Sequence, residues 1–174
     1  MKVIKKKSLR NIFVILLAFV SIFNYSQSNS MFKDSTSLSK DVTTRYFNAY
    51  MNLDFKSMKL VMHDSITFYD PTAKLVFGGN KIKGKTKVYE YFLNSYASII
   101  EMKQSTIRTI FSSNTGVFEL NFVYKFKNGS GQIFTIDMPL IVILTIKNGK
   151  IIEHRDYADY NYFMKQYNQQ LKKE

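Results

Sequence analysis

The sequence predicts an α+β fold in which a strongly curved antiparallel sheet wraps around N-terminal helices, makes a cone and encloses a pocket. Two observations carry this prediction. Helical patterns come first along the chain, and alternating strand patterns then follow one another between residues 116 and 160. Helices and strands segregated in this order are typical of α+β domains, and a twisted sheet curves around the helices that it covers.

The first 28 residues have the composition of a secretory signal peptide. Basic residues precede an uncharged apolar run of 12 residues at 12–23, and Ser26-Gln27-Ser28 supplies small residues for cleavage. The run is short for a membrane span. We therefore expect an exported protein, periplasmic or extracellular, with no stable membrane span after cleavage. The alternative is an uncleaved N-terminal anchor.

Composition and charge narrow the classes of partner. The chain has no cysteine, so disulfides and lipid attachment through cysteine are excluded. The first 28 residues hold five of the 25 basic residues and none of the 13 acidic ones, so the rest has 20 basic against 13 acidic residues, a formal charge of +7. Without an arginine-rich helix this predicts a solvated basic surface and no nucleic-acid partner. Two histidines and no cysteine predict no metal site and no cofactor.

The chain before the sheet predicts two helices. A polar linker rich in Ser and Thr covers residues 29–38, and apolar residues recur at helical spacing over 40–54. Asp54 can cap a shorter helix over residues 55–62, which His63-Asp64 would close. We expect these helices to lie inside the cone.

A strand and a third helix precede the main sheet. Residues 65–69 alternate as a strand that ends at Asp70-Pro71, because proline has no N–H to donate to a neighbouring strand. A short extended piece at 74–77 leads to a third helix over residues 85–99, and a strand over 102–113 follows.

Three further strands joined by short turns complete the prediction. They cover residues 117–126, 132–146 and 150–160. Asn148-Gly149 predicts a tight hairpin between the last two, because both turn positions need positive φ. The domain would then span residues 39–165, with a C-terminal tail over 166–174.

The predicted hairpin brings polar residues onto an apolar face. A tight turn with a regular ladder pairs Ile143 with His154 and Ile141 with Asp156. Buried polar groups need hydrogen-bond partners, so we expect this face to open into a cavity.

Four segments together resemble the nuclear transport factor 2-like superfamily, in its SnoaL-like and ketosteroid isomerase-like branch. They are Arg45-Tyr46, Asp64 to Pro71, Gly84 to Phe92 and Asn148 to Tyr157. The resemblance covers about residues 38–165 and implies the cone-shaped fold, with a homodimer through the open sheet face. It leaves the activity open, because the superfamily holds isomerases, cyclases, hydrolases and non-catalytic members.

The isomerase resemblance implies roles for two residues. Tyr46 would donate a hydrogen bond to a substrate oxyanion, and Asp70, 24 residues later, would move the proton. The third acid of such a site is missing, because its place falls at or near Val142 and the nearest acid of the strand is Asp137. The isomerase site is therefore incomplete.

The SnoaL-like resemblance implies a site on the last strand instead. Asp156 would act as a base or would hold His154, because histidine as a residue type can exchange protons in the physiological pH range. The alternative is a polar strand end with Glu153 and Arg155 paired outside. The predicted pocket walls are Tyr69, Tyr91, Phe92, Ile143 and Ile152.

These observations predict an exported pocket protein for a small apolar or aromatic molecule. If it is an enzyme, it is an isomerase, cyclase or hydrolase that uses general acid/base chemistry through a carboxylate. The alternative is a non-catalytic ligand-binding or protein-interaction module of the same fold. Asp70, Asp156 and Tyr46 in one cavity would favour the enzyme, and either aspartate outside it would favour the module.

Overall fold

The computed structural model describes residues 30–79 and 81–172, and the predicted signal peptide lies outside them. None of the helices in these two ranges has the length and apolar character that a transmembrane span needs. The elements in chain order are α1 (30–51), α2 (Phe55–Leu60), β1 (Met62–Tyr69), α3 (Lys74–Phe77), β2 (Ile82–Lys83), α4 (Lys85–Ser95), β3 (Ile99–Phe111), β4 (Thr115–Lys127), β5 (Ile133–Lys147), β6 (Lys150–Ala158) and α5 (Tyr160–Leu171).

The six strands form one sheet in the order β2-β1-β6-β5-β4-β3. Strands β3 to β6 form the predicted antiparallel meander, and β1 lies parallel to β6. Because β2 and β3 are the two edges, the sheet is not closed. The inner face of β5 is buried at every second residue from Phe134 to Leu144, which is the period expected of a strand with one covered face. The predicted α+β architecture is confirmed.

A glycine lets β4 pass close to α1. A β-carbon at Gly116 would overlap the side chain of Thr43, whose hydroxyl donates to the Ser39 carbonyl at 2.7 Å. Next to this contact Phe47 stacks on Phe118, with ring centroids 4.1 Å apart. The close approach holds the aromatic face of α1 against the inner face of the sheet.

The predicted tight turn between β5 and β6 is present. Asn148 and Gly149 have φ of 53° and 70°, the left-handed conformation that the sequence Asn-Gly tolerates best. Ile146 pairs with Ile151 on either side of the turn.

Beyond this pair, a β-bulge at Ile152 shifts the register by one residue. His154 lies opposite Leu144 and Asp156 lies opposite Val142. The pairing expected from a regular ladder was therefore wrong, because β6 carries one extra residue that the alternation did not mark. The bulge leaves His154 and Asp156 on the buried side of the sheet.

Two predicted boundaries differ from the structure. Residues 30–38, expected as a linker, are the first turns of α1, and α5 continues across the expected domain end at 165. Within this segment the hydroxyl of Ser35 donates to the Phe32 carbonyl at 3.0 Å, a local bond that serine side chains commonly make.

Two short segments also differ. His63-Asp64 lies within β1 rather than closing a helix, and the Nδ1 of His63 accepts from the Ser65 N–H at 3.1 Å. Lys74–Phe77 is a helical turn rather than an extended piece. Its start is shaped by Asp70, which accepts a hydrogen bond from the Ala73 N–H at 2.9 Å.

Helix α5 covers a free edge of β5. Strand β6 ends at Ala158, so the first half of β5 has no strand on that side. The side-chain amides of Gln166 and Gln170 each exchange two hydrogen bonds with the backbone, at Asp137 and Thr135 respectively. Two amides one helical turn apart thus replace a strand at this edge, and α5 is part of the domain.

Candidate functional site

A cavity of about 650 Å³ lies between the inner face of the sheet and helices α3, α4 and α5. Of the lining residues that the structure describes, ten are Phe or Tyr. Among the described residues that line it, the charged ones are Asp70 and Asp156, and the wall holds no Lys, Arg or His. The cavity is therefore an aromatic chamber with two carboxylates.

Asp156 is the centre of a buried hydrogen-bond network. Its Oδ1 lies 2.7 Å from the Nε2 of His154, and its Oδ2 accepts from the Tyr50 hydroxyl at 3.1 Å. The Tyr50 hydroxyl lies 2.7 Å from that of Tyr96, and the Tyr46 hydroxyl lies 3.0 Å from the Nδ1 of His154. The network joins α1, β6 and the end of α4, and only Asp156, Tyr50 and Tyr96 reach the cavity.

The direction of each bond follows from the number of hydrogens available. Tyr50 gives its one hydrogen to the carboxylate, so Tyr96 donates to the Tyr50 oxygen. Tyr46 is fully buried and its partner is His154, so it donates to Nδ1 and leaves the proton of the imidazole on Nε2. His154 is assigned on this network as the neutral tautomer, which donates its Nε2–H to Asp156.

Aromatic rings fix the orientation of His154. Phe92 stacks on the imidazole with centroids 5.6 Å apart, and the edges of Tyr46, Tyr50 and Phe68 pack around it at 5.0–5.4 Å. His154 is 0% exposed and does not line the cavity. It acts on the cavity only by holding Asp156.

Asp70 occupies a second position in the same wall. Its Oδ1 accepts from the Thr72 N–H and hydroxyl and from the Ala73 N–H, at 2.6–3.0 Å, and its Oδ2 accepts from the Tyr160 hydroxyl at 2.6 Å. The Thr72 hydroxyl in turn accepts from the Ala158 N–H at 3.0 Å. Asp70 thus ties the end of β1 to the end of β6, and its four donors suit a carboxylate anion.

The tyrosines near the carboxylates remain protonated at neutral pH. Burial, and after it the charge of Asp156, raises the pKa of Tyr46, Tyr50 and Tyr96 well above the ordinary 10.0. Burial raises the pKa of Tyr160 as well, and the charge of Asp70 and the hydrogen bond to it add to the effect. All four hydroxyls therefore act as hydrogen-bond donors.

Comparison with protein families identifies the fold around this site. The model of the SnoaL-like domain matches residues 43–154, which is more than half of the chain. The chain belongs to the SnoaL-like domain family. No curated protein matches it in sequence.

Solved structures share the fold at low identity. A protein from Shewanella putrefaciens CN-32, proposed to be a SnoaL-like polyketide cyclase, is 18% identical with a TM-score of 0.67, over 75% of this chain and 96% of that one. An LEH-like epoxide hydrolase from M. tuberculosis is 16% identical with a TM-score of 0.60, over 76% and 92%. A protein from Kribbella flavida, proposed as a ketosteroid isomerase, is 10% identical with a TM-score of 0.55, over 71% and 78%. These similarities confirm the predicted nuclear transport factor 2-like fold and show the fold alone.

The SnoaL-like fold brings the four predicted catalytic residues close to one cavity, but not into one wall. Asp70 and Asp156 line the cavity, His154 lies behind Asp156, and Tyr46 lies behind His154. The Tyr46 hydroxyl therefore contacts the imidazole and does not line the cavity. The structure gives no support to the oxyanion-donor role that the isomerase resemblance implied for it.

The residues predicted to form the pocket wall agree only in part with those that line the observed cavity. Tyr91 lines the cavity, whereas Phe92 packs on His154 and Tyr69 lies on the face of β1 opposite to its inward neighbour Phe68. Ile143 and Ile152 also lie outside the wall. The bulge is the reason, because it changes which residues of the hairpin face inward.

Three tyrosines of the SnoaL-like site were missed in the sequence analysis. Tyr50 follows Tyr46 by one helical turn, so the spacing on α1 could have indicated that both face the same way. Tyr96 likewise follows Phe92 by four residues. Tyr160 follows the last strand in a segment predicted as its end, and nothing local marked its contact with Asp70.

Proposed function

We propose that this chain is an exported SnoaL-like protein that binds a small apolar or aromatic molecule in the cavity and exchanges a proton with it through Asp156. The observation that carries the proposal is that Asp156 and Asp70 line one cavity with aromatic walls. Its volume of about 650 Å³ fits the range of about 300–1,000 Å³ that small-molecule sites occupy.

The walls support an apolar or aromatic ligand. The wall includes the large flat rings of Phe122, Tyr124, Phe126 and Phe163. Edge-to-face and offset-stacked contacts with such rings stabilise a bound aromatic ligand. Proteins of the same fold include one proposed as a polyketide cyclase and an epoxide hydrolase, which supports a small organic ligand.

Asp156 is a better proton-exchanging group than Asp70. Asp70 receives four hydrogen bonds that hold the ends of β1 and β6, so its carboxylate is committed to the fold. Asp156 receives two, from His154 and Tyr50, and both fix its orientation toward the cavity. A carboxylate held in an apolar site can act as a general base.

A non-catalytic ligand-binding module is the second candidate. One observation favours it: the Tyr46 hydroxyl, the implied oxyanion donor, is used by His154 and is 0% exposed. A binding module needs the cavity and its walls, but needs no donor for a developing negative charge.

A thermal-shift screen followed by a turnover assay separates these functions. The protein from residue 29 is screened against steroids, polyketide-like aromatics and terpenoid epoxides, beside Asp156→Asn and the exposed control Asp137→Asn. Stabilising ligands that the parent converts and Asp156→Asn does not would support the enzyme. Ligands that stabilise without conversion would support the module, and the absence of any stabilisation would contradict a small-molecule site.

Export and dimerisation are proposals of the same kind, each with its own measurement. Export predicts that N-terminal sequencing of the secreted protein finds a start near residue 29.

A homodimer through the open sheet face would cover exposed residues there such as Ile110 and Ile141, which are 53% and 38% exposed. Light scattering after size exclusion measures it directly.

A further inference from the structure

Asp70 and Asp156 have no lysine or arginine partner among the residues that the structure describes, and His154, which contacts Asp156, is assigned as the neutral tautomer. We propose that the ligand carries a cationic nitrogen, a protonated or quaternary amine on an apolar or aromatic body. This inference rests on the proposed function, because it concerns the ligand of the same cavity.

The charge around the cavity is the first support. Asp70 and Asp156 are 7% and 3% exposed, and no lysine, arginine or histidine lies among the described lining residues. Arg155 is adjacent in sequence to Asp156, but it extends to the other face of β6 and donates to Glu153 at 2.7 Å. The hydrogen bond from Arg155, more than the attraction of its charge, lowers the pKa of Glu153 and shows that this arginine is already paired. The cavity wall therefore carries negative charge without compensation.

The hydrogen-bond donors beside the carboxylates are the second support. Tyr50 and Tyr160 give their hydroxyl hydrogens to Asp156 and Asp70, and Tyr96 gives its hydrogen to Tyr50. These three hydroxyls line the cavity with oxygen lone pairs and have no further hydrogen to offer. A ligand anion or carbonyl placed against these three hydroxyls would meet acceptors, whereas an ammonium N–H placed there could donate to them.

The aromatic walls are the third support. The faces of Tyr and Phe rings carry negative charge density and attract a cation that lies within about 6 Å of the ring centroid. Tyr91, Tyr96 and Tyr160 line the same cavity as the two carboxylates. Carboxylates and ring faces around one volume are the features by which proteins recognise organic ammonium ions.

The net positive charge of the chain separates binding in the cavity from non-specific electrostatic attraction. The formal net charge is +12 for the whole sequence and +7 without the first 28 residues, so long-range attraction and non-specific binding favour anions. A preference for cations would therefore be opposite to the effect of the protein's net positive charge. It could only come from local groups such as the two carboxylates.

The experiment is a calorimetric titration with ligands that share a body and differ in charge. Phenyl, naphthyl and adamantyl bodies are each used as the methylamine, the methanol and the carboxylate. The titrations are run on the parent, on Asp156→Asn and Asp70→Asn, and on Asp137→Asn. The last variant removes the same charge from an exposed residue of β5 that lies outside the cavity. Circular dichroism melts show which variants fold.

We expect the amine to bind at least about tenfold more tightly than the matching alcohol, a difference of about 1.4 kcal/mol, and the carboxylate to bind most weakly. Either cavity variant should reduce this preference, while Asp137→Asn should keep it. If a cavity variant does not fold, the test is decided by the relative affinities of the amine, the alcohol and the carboxylate for the parent and the other variants.

Three results would overturn the inference. Equal or tighter binding of the alcohols, unchanged by the cavity variants, would refute the cationic ligand and leave the proposed function standing. A preference for amines that all variants share equally would place the cation outside the cavity. No binding of any body in any charge state would refute the proposed function, and the inference with it.

Discussion

The Nε2 of His154 lies 2.7 Å from the Oδ1 of Asp156, and their side chains are 0% and 4% exposed. Seen from the cavity, the imidazole lies behind the carboxylate. His154 does not line the cavity, yet it sets the position of Asp156, which does. Tyr46 completes the arrangement from the far side of the ring. The predictions below follow from this network and from the elements that hold it.

Removal of the imidazole should destabilise the protein more than removal of the tyrosine hydroxyl behind it. His154→Phe leaves the Tyr46 hydroxyl and the Oδ1 of Asp156 without their partner, which costs about 1–3 kcal/mol for each such group. Tyr46→Phe leaves only one such group, the Nδ1 of His154, without a partner and should cost about 1–3 kcal/mol. Urea unfolding of both single variants and of the double variant measures these costs. Because the double variant removes the orphaned hydroxyl as well, additive costs would contradict the network.

The buried tyrosines should make the protein lose stability above pH 10. Burial, followed by the charge of Asp156, holds the pKa of Tyr46 and Tyr50 well above 10.0 in the folded state. The unfolded chain therefore releases protons first as the pH rises, so the stabilisation is complete below pH 10 and is lost above it. Unfolding free energies between pH 8 and 11 should fall more steeply for the parent than for Tyr50→Phe. A control at the 42% exposed Tyr162, Tyr162→Phe, should follow the parent, and identical slopes for all three would contradict the prediction.

The contact between β4 and α1 should depend on Gly116. A β-carbon there overlaps the buried side chain of Thr43, and overpacking of this kind costs about 1–3 kcal/mol. Gly116→Ala should lower the free energy of unfolding by this amount. Gly129→Ala is the matched control, because a β-carbon at Gly129 meets nothing within 4 Å. Equal stability of the two variants would show that α1 moves away without cost.

The two glutamines of α5 should protect the protein from edge-to-edge association. Without Gln166 and Gln170, the backbone of β5 at Thr135 and Asp137 is unpaired and can accept a strand from another copy. The double alanine variant should form larger species in size exclusion as concentration rises. Gln169→Ala, at an exposed position of the same helix, should behave as the parent does, and a variant as monodisperse as the parent would refute the protective role.

Local chemistry explains why parts of the fold were predictable. Asn148-Gly149 encodes its own turn, and the alternation of β4 marks its inner face. The order of helices and strands then limits the architecture, and the resemblance over residues 38–165 matched the observed fold. These features depend on neighbours in the sequence.

The site was harder to predict because it depends on contacts distant in sequence. Asp156 and His154 were found from their place on an apolar strand, yet a single extra residue at Ile152 changed the residues opposite them. The hydroxyl of Tyr160 reaches Asp70, 90 residues earlier, and no local pattern indicates such a contact. Tyr46 was placed on the correct helix, but its hydroxyl direction is decided by the packing around the imidazole.

The most direct test of the account is a calorimetric titration of one stabilising ligand into the parent, Asp156→Asn and Asp137→Asn. The central claim is that the ligand lies in the cavity against the Asp156 carboxylate, so Asp156→Asn should weaken binding by at least about tenfold, or about 1.4 kcal/mol. The exposed control should bind as the parent does. Equal affinity in all three proteins, with all three folded, would place the ligand elsewhere and contradict the account.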